Sequence, residues 1–485
     1  MLPDEQLLMK LSCDKIFSLM IQSIKYTFWV MLIAGLGFIA IALTPDAEQT
    51  DAAMFKKIFN EALTNGKSYS NLDYLTNKIG GRLSGSINAL KAVEWAFKAM
   101  KEAGADSVYL QECMVPHWVR GEKETAKIIF DGGKSAKIVP ICALGGSVAT
   151  PAEGITASII EVKSFEELAQ LGKDKIKGKI VFFNSPMDPK YLETFEAYGG
   201  AVKFRWAGAS EAVKYGAVGV VVRSCTLAQD DYPHTGVMGY KDSLNKIPAC
   251  AISTNGAILL SESLAANKNP EFYFKMSCQT LPDEISYNVV GEIYGTTQSN
   301  EYVIVGGHLD SWDTGAGAHD DGAGVVQSME VLRIFKALGI KPKCNIRAVA
   351  FMNEENGGRG GEKYAEWAKI NKEKHIAAIE SDAGGFTPRG FNSEVTPIQK
   401  EKLKSWKPLF EPYGIHNFDR NGSGADLKHL QEMGVPCLEL MPDSQRYFDY
   451  HHAATDVFQN VNKRELELGG AAMAALVWMI ATHGL

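Results

Sequence analysis

The 485-residue chain is long enough for two or three domains with ample core, and 46% hydrophobic with 22% charged residues is an ordinary globular composition. Its net charge is −7, with no Lys/Arg run or basic–aromatic stripe, so nucleic acid is excluded as an expected partner. The eight cysteines form no CxxC pair and sit mostly in apolar surroundings, so they read as small buried hydrophobes rather than as ligands or a disulfide framework.

Residues 26–45 carry no charge, with Lys10, Lys15 and Lys25 before them and Asp46, Glu48 and Asp51 after. A charged start, an apolar run and a candidate cleavage site at Ala40-Ile41-Ala42 predict an export segment. The run Phe28 to Leu43 is slightly long for a signal peptide and slightly short for a comfortable span. Cleavage is therefore the expectation and anchoring through 26–45 the alternative, with Met20 as an alternative start. Either way the protein is expected to be secreted or periplasmic, touching membrane only if this segment is retained. Residues 1–45 are set apart from the fold.

Residues 52–66 and 69–79 predict helices, with Met54, Ile58 and Phe59 on one face. The turn Gly80 to Ser86 leads to a helix with Leu90, Val93, Phe97 and Met100 at helical spacing, stopped by Gly104. Val108, Leu110 and Val115 suggest a strand. Residues 46–115 thus read as the first piece of an α/β domain.

From Pro116-His117 to about 284 the texture changes to short strand-like runs separated by Gly, Pro and Asp. Lys179–Phe183, Ala217–Val222 and Ile247–Ser253 are the clearest, with a helical stretch around Ala207 to Tyr215. No ligand-spaced cluster occurs there, so the block reads as a β-rich accessory domain without chemistry. Trp118, Arg120 and His234 are its candidates for substrate contact.

The α/β texture returns over 285–485. Strands are expected at 288–294, 302–306, 346–351, 376–381 and near 435–440. Asp320-Asp321 opens a helix whose buried stripe is Val325, Val326, Met329, Leu332 and Phe335. The last helix starts at Asn462, with Glu465 three residues on in a capping-box arrangement.

Strand ends in this last block each deliver a His or a carboxylate, where open α/β sheets keep their sites. His308 is followed by Asp310, which in an extended chain points the same way and can accept the other imidazole N–H. Of the pair Asp320-Asp321, a helix cap needs only one, and Asp321 suits it; a carboxylate bridging two cations would explain Asp320. Glu354-Glu355 precedes glycines that let both side chains face one cleft, one as ligand and its neighbour as general base. Asp382 leaves a strand end into glycines, and His451-His452 has Asp456 as an orienting acid. No strand end carries a nucleophilic Ser or Cys, and Gly422-Ser423-Gly424 lacks the partners of a nucleophile elbow. Oxygen and imidazole donors without thiolate suit catalytic zinc, with cobalt or manganese as substitutes. Five ligands sharing one Asp fit two metals about 3.5–4 Å apart.

The motifs GGHLDSW, GAHDDGAG, NEENGG, ESDAGG and FDYHHAATD resemble those of the zinc aminopeptidase-like metallopeptidases. Similarity to one member extends through GGRLSGS, PHWVRGE, PHTG and NKIPACAIS, so the resemblance runs from about Gly80 to His452. It implies an α/β zinc-exopeptidase fold, a mixed sheet flanked by helices, with residues 116–284 as an inserted β-rich protease-associated domain. It implies two zinc ions, His308 and Asp382 on one, Glu355 and His452 on the other, and Asp320 bridging. Glu354 takes the place of the general base and Asp310 that of the acid supporting the first histidine. A cis Asp320–Asp321 peptide is also implied. The expected partners are small peptides as substrates, and a homodimer is one candidate assembly. NEENGG departs from the family's commoner context, which bears on substrate preference rather than on catalysis. Two other readings compete: a non-catalytic binding protein on this fold, expected to have lost ligands, and a glutaminyl cyclase.

Overall fold

The computed structural model describes residues 20, 47–266, 268–297 and 300–485; the expected export segment and Cys13 lie outside them. The chain up to Lys56 forms one unit, whose described part is Met20 and the start of the helix Ala47–Asn65. Lys57–Leu485 forms the other unit, and the site lies within it.

A helix over Ser68–Tyr74 ends in a π turn, Leu75–Ile79. Ser86 then caps the helix Ile87–Glu102, its Oγ accepting the Ala89 N–H at 3.1 Å. The buried face is Ala89, Ala92, Val93, Ala96 and Met100. Leu90, expected in the stripe, is 43% exposed, because the alanines rather than the bulkier residue make the close approach.

Strand β1 (Ser107–Val119) carries the chain into an eight-stranded sheet made of β2 (Thr125–Phe130), β3 (Ser135–Ile138), β4 (Ile141–Ala143), β5 (Ile155–Val162), β6 (Ile180–Phe183), β7 (Gly219–Arg223), β8 (Ala249–Ile252) and β9 (Glu271–Lys275). Its order is β3-β2-β9-β5-β6-β7-β8-β4. Strands β5 to β8 run parallel; helix Phe165–Ile176 joins β5 to β6, helix Thr194–Val213 joins β6 to β7, a loop joins β7 to β8, and helix Thr254–Ala265 leads on to β9. All four residues of β6 are buried, as a parallel strand covered on both faces requires.

Strand β10 (Gln279–Ile293) returns antiparallel to β1, from Val119↔Gln279 to Ser107↔Glu292. The positions expected as domain junctions, 115/116 and 284/285, fall inside this long ribbon. Strands β11 (Glu301–His308), β12 (Asn345–Phe351), β13 (Lys374–Glu380), β14 (Pro388–Glu394) and β15 (Cys437–Pro442) complete a seven-stranded mixed sheet, β1-β10-β12-β11-β13-β15-β14. The inner strands β12, β11, β13 and β15 are parallel, and the edges are antiparallel. Strand β14 was not expected, because PRGFNSE alternates too weakly; Pro and Gly in it are tolerated at an edge. The seven described cysteines are free and buried, as their surroundings suggest.

The helix Ala323–Ala337 links β11 to β12 and packs against the last helix, Lys463–His483. Asn462 caps that last helix, accepting N–H bonds from Arg464 and Glu465. Glu465 does not complete the expected box; it accepts the Thr387 hydroxyl at 2.9 Å instead.

Register below the site is held by Arg347 of β12, which is 1% exposed. It bonds Glu292 of β10 at 2.7 Å, Glu373 before β13 at 2.8 Å and the Tyr364 hydroxyl at 2.7 Å. Removing the cation strands two carboxylates, so Arg347→Met is expected to lower stability by about 3–5 kcal/mol, read from the urea midpoint. A midpoint within error of the parent would show that the network contributes nothing.

Candidate metal centre

Parallel neighbours β12, β11 and β13 all end on one side of the sheet, so the residues leaving them meet there. His308 closes β11, Glu354 and Glu355 follow β12, and Asp382 follows β13. The start of the helix after β11 brings Asp320, and the loop before the last helix brings His452.

His308 Nε2 lies 3.2 Å from Asp320 Oδ1 and 3.3 Å from Asp382 Oδ1. His452 Nε2 lies 3.2 Å from Asp320 Oδ2 and 3.1 Å from Glu355 Oε2. Asp320 therefore turns one oxygen to each histidine. His308 Nε2, Asp320 Oδ2 and Asp382 Oδ1 are buried with no hydrogen-bond partner, although they converge. Buried polar atoms left in that state are costly unless a ligand satisfies them. Among the described residues the ion pairs of these carboxylates are made to histidines alone. An acid-rich set of oxygen and imidazole donors of this kind fits divalent cations.

The electrostatics agree. Burial pushes Glu354 well above the usual carboxylate range, raises Asp382, and takes Glu355 up to about 7. Burial also disfavours the charged form of Asp320, yet His308 and His452 outweigh it and hold that carboxylate well below its ordinary range. For His452 burial favours the neutral ring, but Glu355 and Asp320 prevail and push it up to about 9.

Neighbours fix these groups. Asp321 accepts the His308 N–H at 3.0 Å and the Gly324 N–H at 2.9 Å, which matches its expected place at the helix start. A side chain at Gly324 would put Cβ 1.8 Å from the Ser381 carbonyl, so only glycine lets the helix approach β13 this closely. The Asp320–Asp321 peptide is cis.

Two sequence expectations need correction. Asp310 was expected to accept the His308 N–H through its carboxylate. Its Oδ1 is instead 3.8 Å from Nδ1, while its main-chain carbonyl is at 3.0 Å. The carboxylate turns to the Asn353 and Glu354 N–H groups, at 2.7 and 3.1 Å, and so positions the loop that carries Glu354. Asp456 was expected to orient His452. It accepts the N–H groups of His319 and Asp320, at 2.7 and 3.1 Å, because the chain turns back at Ala453.

Among residues of the middle block, Trp118 is engaged within the block, whereas Arg120 reaches across to the loop that follows His308. The Trp118 indole donates to Ser147, and Arg120 pairs with Asp313 at 2.6 Å. His234 instead reaches the site, its Nδ1 lying 2.7 Å from the His451 carbonyl. His451 itself stacks on His452 at 3.5 Å and lies 3.8 Å from Asp320. Two donor groups result, His308–Asp320–Asp382 and Asp320–His451–His452, each with ligand atoms within 4.8 Å of one another. The doublet His451-His452 was the sequence signal for the second.

The chain belongs to peptidase family M28, whose sequence profile matches residues 288–477, and its relatives make it a metallo-exopeptidase. It is 34% identical over 415 residues to carboxypeptidase Q of Mus musculus, covering 86% of each chain. The crystal structure of a peptidase M28 precursor from Shewanella amazonensis superposes with a TM-score of 0.85 at 32% identity, covering 89% of this chain and 97% of that one. The zinc aminopeptidase BSAP of Bacillus subtilis shares the fold, with a TM-score of 0.61 at 20% identity over 86% of this chain and 95% of that one.

Proposed function

We propose that this chain is an exported di-zinc exopeptidase that hydrolyses small peptides or dipeptides. The observation that carries the two-ion reading is Asp320, with its two oxygens 3.2 Å from His308 and 3.2 Å from His452. On this reading His308 and Asp382 would hold one ion, Glu355 and His452 the other, and Asp320 would serve both. Bound zinc supplies a water of lowered pKa and polarises the scissile carbonyl.

Glu354 is the general base. It accepts the proton of the attacking water and returns it to the departing amine as the C–N bond breaks. Asp310 steadies the backbone that carries it, accepting the Glu354 N–H at 3.1 Å. The complete donor set speaks against a binding protein that has lost its metal. Residues 116–284 are read as the accessory insert, and export rests on the segment 26–45.

Peptides blocked at neither end, at one end and at both ends test the reading. Chelation should abolish turnover and zinc should restore it. Unblocked peptides should be cleaved, and blocking the recognised terminus should stop cleavage. The mouse relative's name favours a free C-terminus. Cleavage of doubly blocked peptides would rule out an exopeptidase, and cyclisation of an N-terminal Gln without dipeptide hydrolysis would favour the cyclase.

A further inference from the structure

Arg205 is a buried cation that the mechanism above leaves without a role. It sits on the helix Thr194–Val213 and forms no ion pair with a carboxylate among the described residues. Its Nη2 donates to the Tyr198 hydroxyl at 2.7 Å. Its Nη1 donates to the Thr235 carbonyl at 3.3 Å and lies 3.2 Å from His452 Nδ1. The same Thr235 carbonyl is 3.3 Å from His452 Nδ1, and the Thr235 N–H donates to the His452 carbonyl at 3.0 Å. One residue earlier, His234 holds the His451 carbonyl. Gly236 lets the guanidinium lie against this loop: its φ is +135°, and a Cβ there would sit 2.3 Å from the guanidinium carbon.

We propose that Arg205 and Thr235 position His452 as a metal ligand, so that the eight-stranded sheet completes one half of the metal centre. This rests on the two-ion reading. His452 has φ +62°, a conformation that a non-glycine residue keeps only when its surroundings hold it. The bracket from Thr235, one bond to the backbone and one from the ring, does that. For Nε2 to act as a ligand, the ring proton must sit on Nδ1. In that tautomer the Thr235 carbonyl, 3.3 Å from Nδ1, is the acceptor for the ring proton, and Arg205 Nη1, a donor only, must direct its N–H to the same oxygen and not to the ring. Arg205 donates to the same oxygen and keeps it aimed at the ring, a supporting role of the kind that tunes metal sites from outside the ligand set. Arg205 acts through Thr235 and His452 and is therefore a positioning residue. The sheet read from sequence as free of chemistry contributes to the centre through the loop between β7 and β8 and through one helix.

The test uses the full chain, with Arg205→Met and Arg205→Lys as variants and zinc alone as the probe. Parent protein should hold two zinc equivalents. In Arg205→Met one equivalent should bind as in the parent. The other should bind about 10- to 100-fold more weakly in chelator competition, the range seen when such supporting partners are removed. Cobalt substitution should show the change in the visible absorption of one equivalent only. The chelated, metal-free variant should unfold at the parent's temperature, which a purely structural role would not allow. Arg205→Lys should recover part of the affinity, since it keeps a donor for Thr235 but loses the fork that also reaches Tyr198. Parent-like affinity for both ions in Arg205→Met would overturn the inference, as would equal weakening of both ions with a less stable metal-free fold. A parent protein that binds fewer than two ions would overturn the two-ion reading instead.

Discussion

Glu354→Gln should retain both zinc ions and the parent fold while its kcat falls by about 10²- to 10⁴-fold, the contribution of a well-placed general base. The amide matches the carboxylate in shape and can still hydrogen-bond a water, but it cannot take the water's proton. The substitution should also leave the donor atoms undisturbed, because Glu354 makes no close approach of the kind that Glu355 makes to His452. Steady-state kinetics together with elemental analysis read the two effects separately. Near-parent turnover with zinc still bound would remove Glu354 from the mechanism. Lost zinc would instead make Glu354 a ligand, exchanging its role with Glu355.

Asp320→Ala should empty the centre. Two histidines depend on this one carboxylate, each 3.2 Å from one of its oxygens. Without it His308 keeps Asp382 and His452 keeps Glu355, two donors apiece, where a catalytic zinc ordinarily has three from the protein. The zinc content of the purified variant should fall from two equivalents to below one, with hydrolysis at background. Zinc should also no longer raise the unfolding temperature, because stabilisation by a ligand vanishes with its affinity. Full occupancy would contradict the bridging role. Loss of one ion alone would assign Asp320 to a single site.

Much of the centre was legible because its residues leave strand ends in recognisable local settings. His308 and Asp382 each follow an apolar run whose strand character is plain, and glycines after them mark the turn. The pair Asp320-Asp321 was separable into a carboxylate for the site and one for the helix start because a helix start needs only one of them. What each supporting acid touches was not legible. Asp310 lies two residues from His308, close enough to suggest a carboxylate–imidazole bond. The loop that follows β12 instead places the Asn353 and Glu354 N–H groups nearer to that carboxylate. Asp456 lies four residues from His452, yet its oxygens face the backbone of His319 and Asp320. Spacing fixes reach but not direction, and direction depends on residues 43 to 137 positions away.

The fold divides in the same way. Parallel strands β11, β12 and β13 were evident from apolar runs because strands buried on both faces need them. Edge strand β14 was missed because an edge imposes no such pattern. Sequence alone determined the class of chemistry: one domain's strand ends carry acids and imidazoles without thiolate or nucleophile, and that donor set suits a divalent metal. Tertiary structure decided which groups meet. It turned the two oxygens of Asp320 to different histidines and brought Arg205 and Thr235, some 220–250 positions away along the chain, against His452. Local pattern encodes burial and periodicity, whereas a ligand shell is assembled from segments whose contact is set only when the sheets pack.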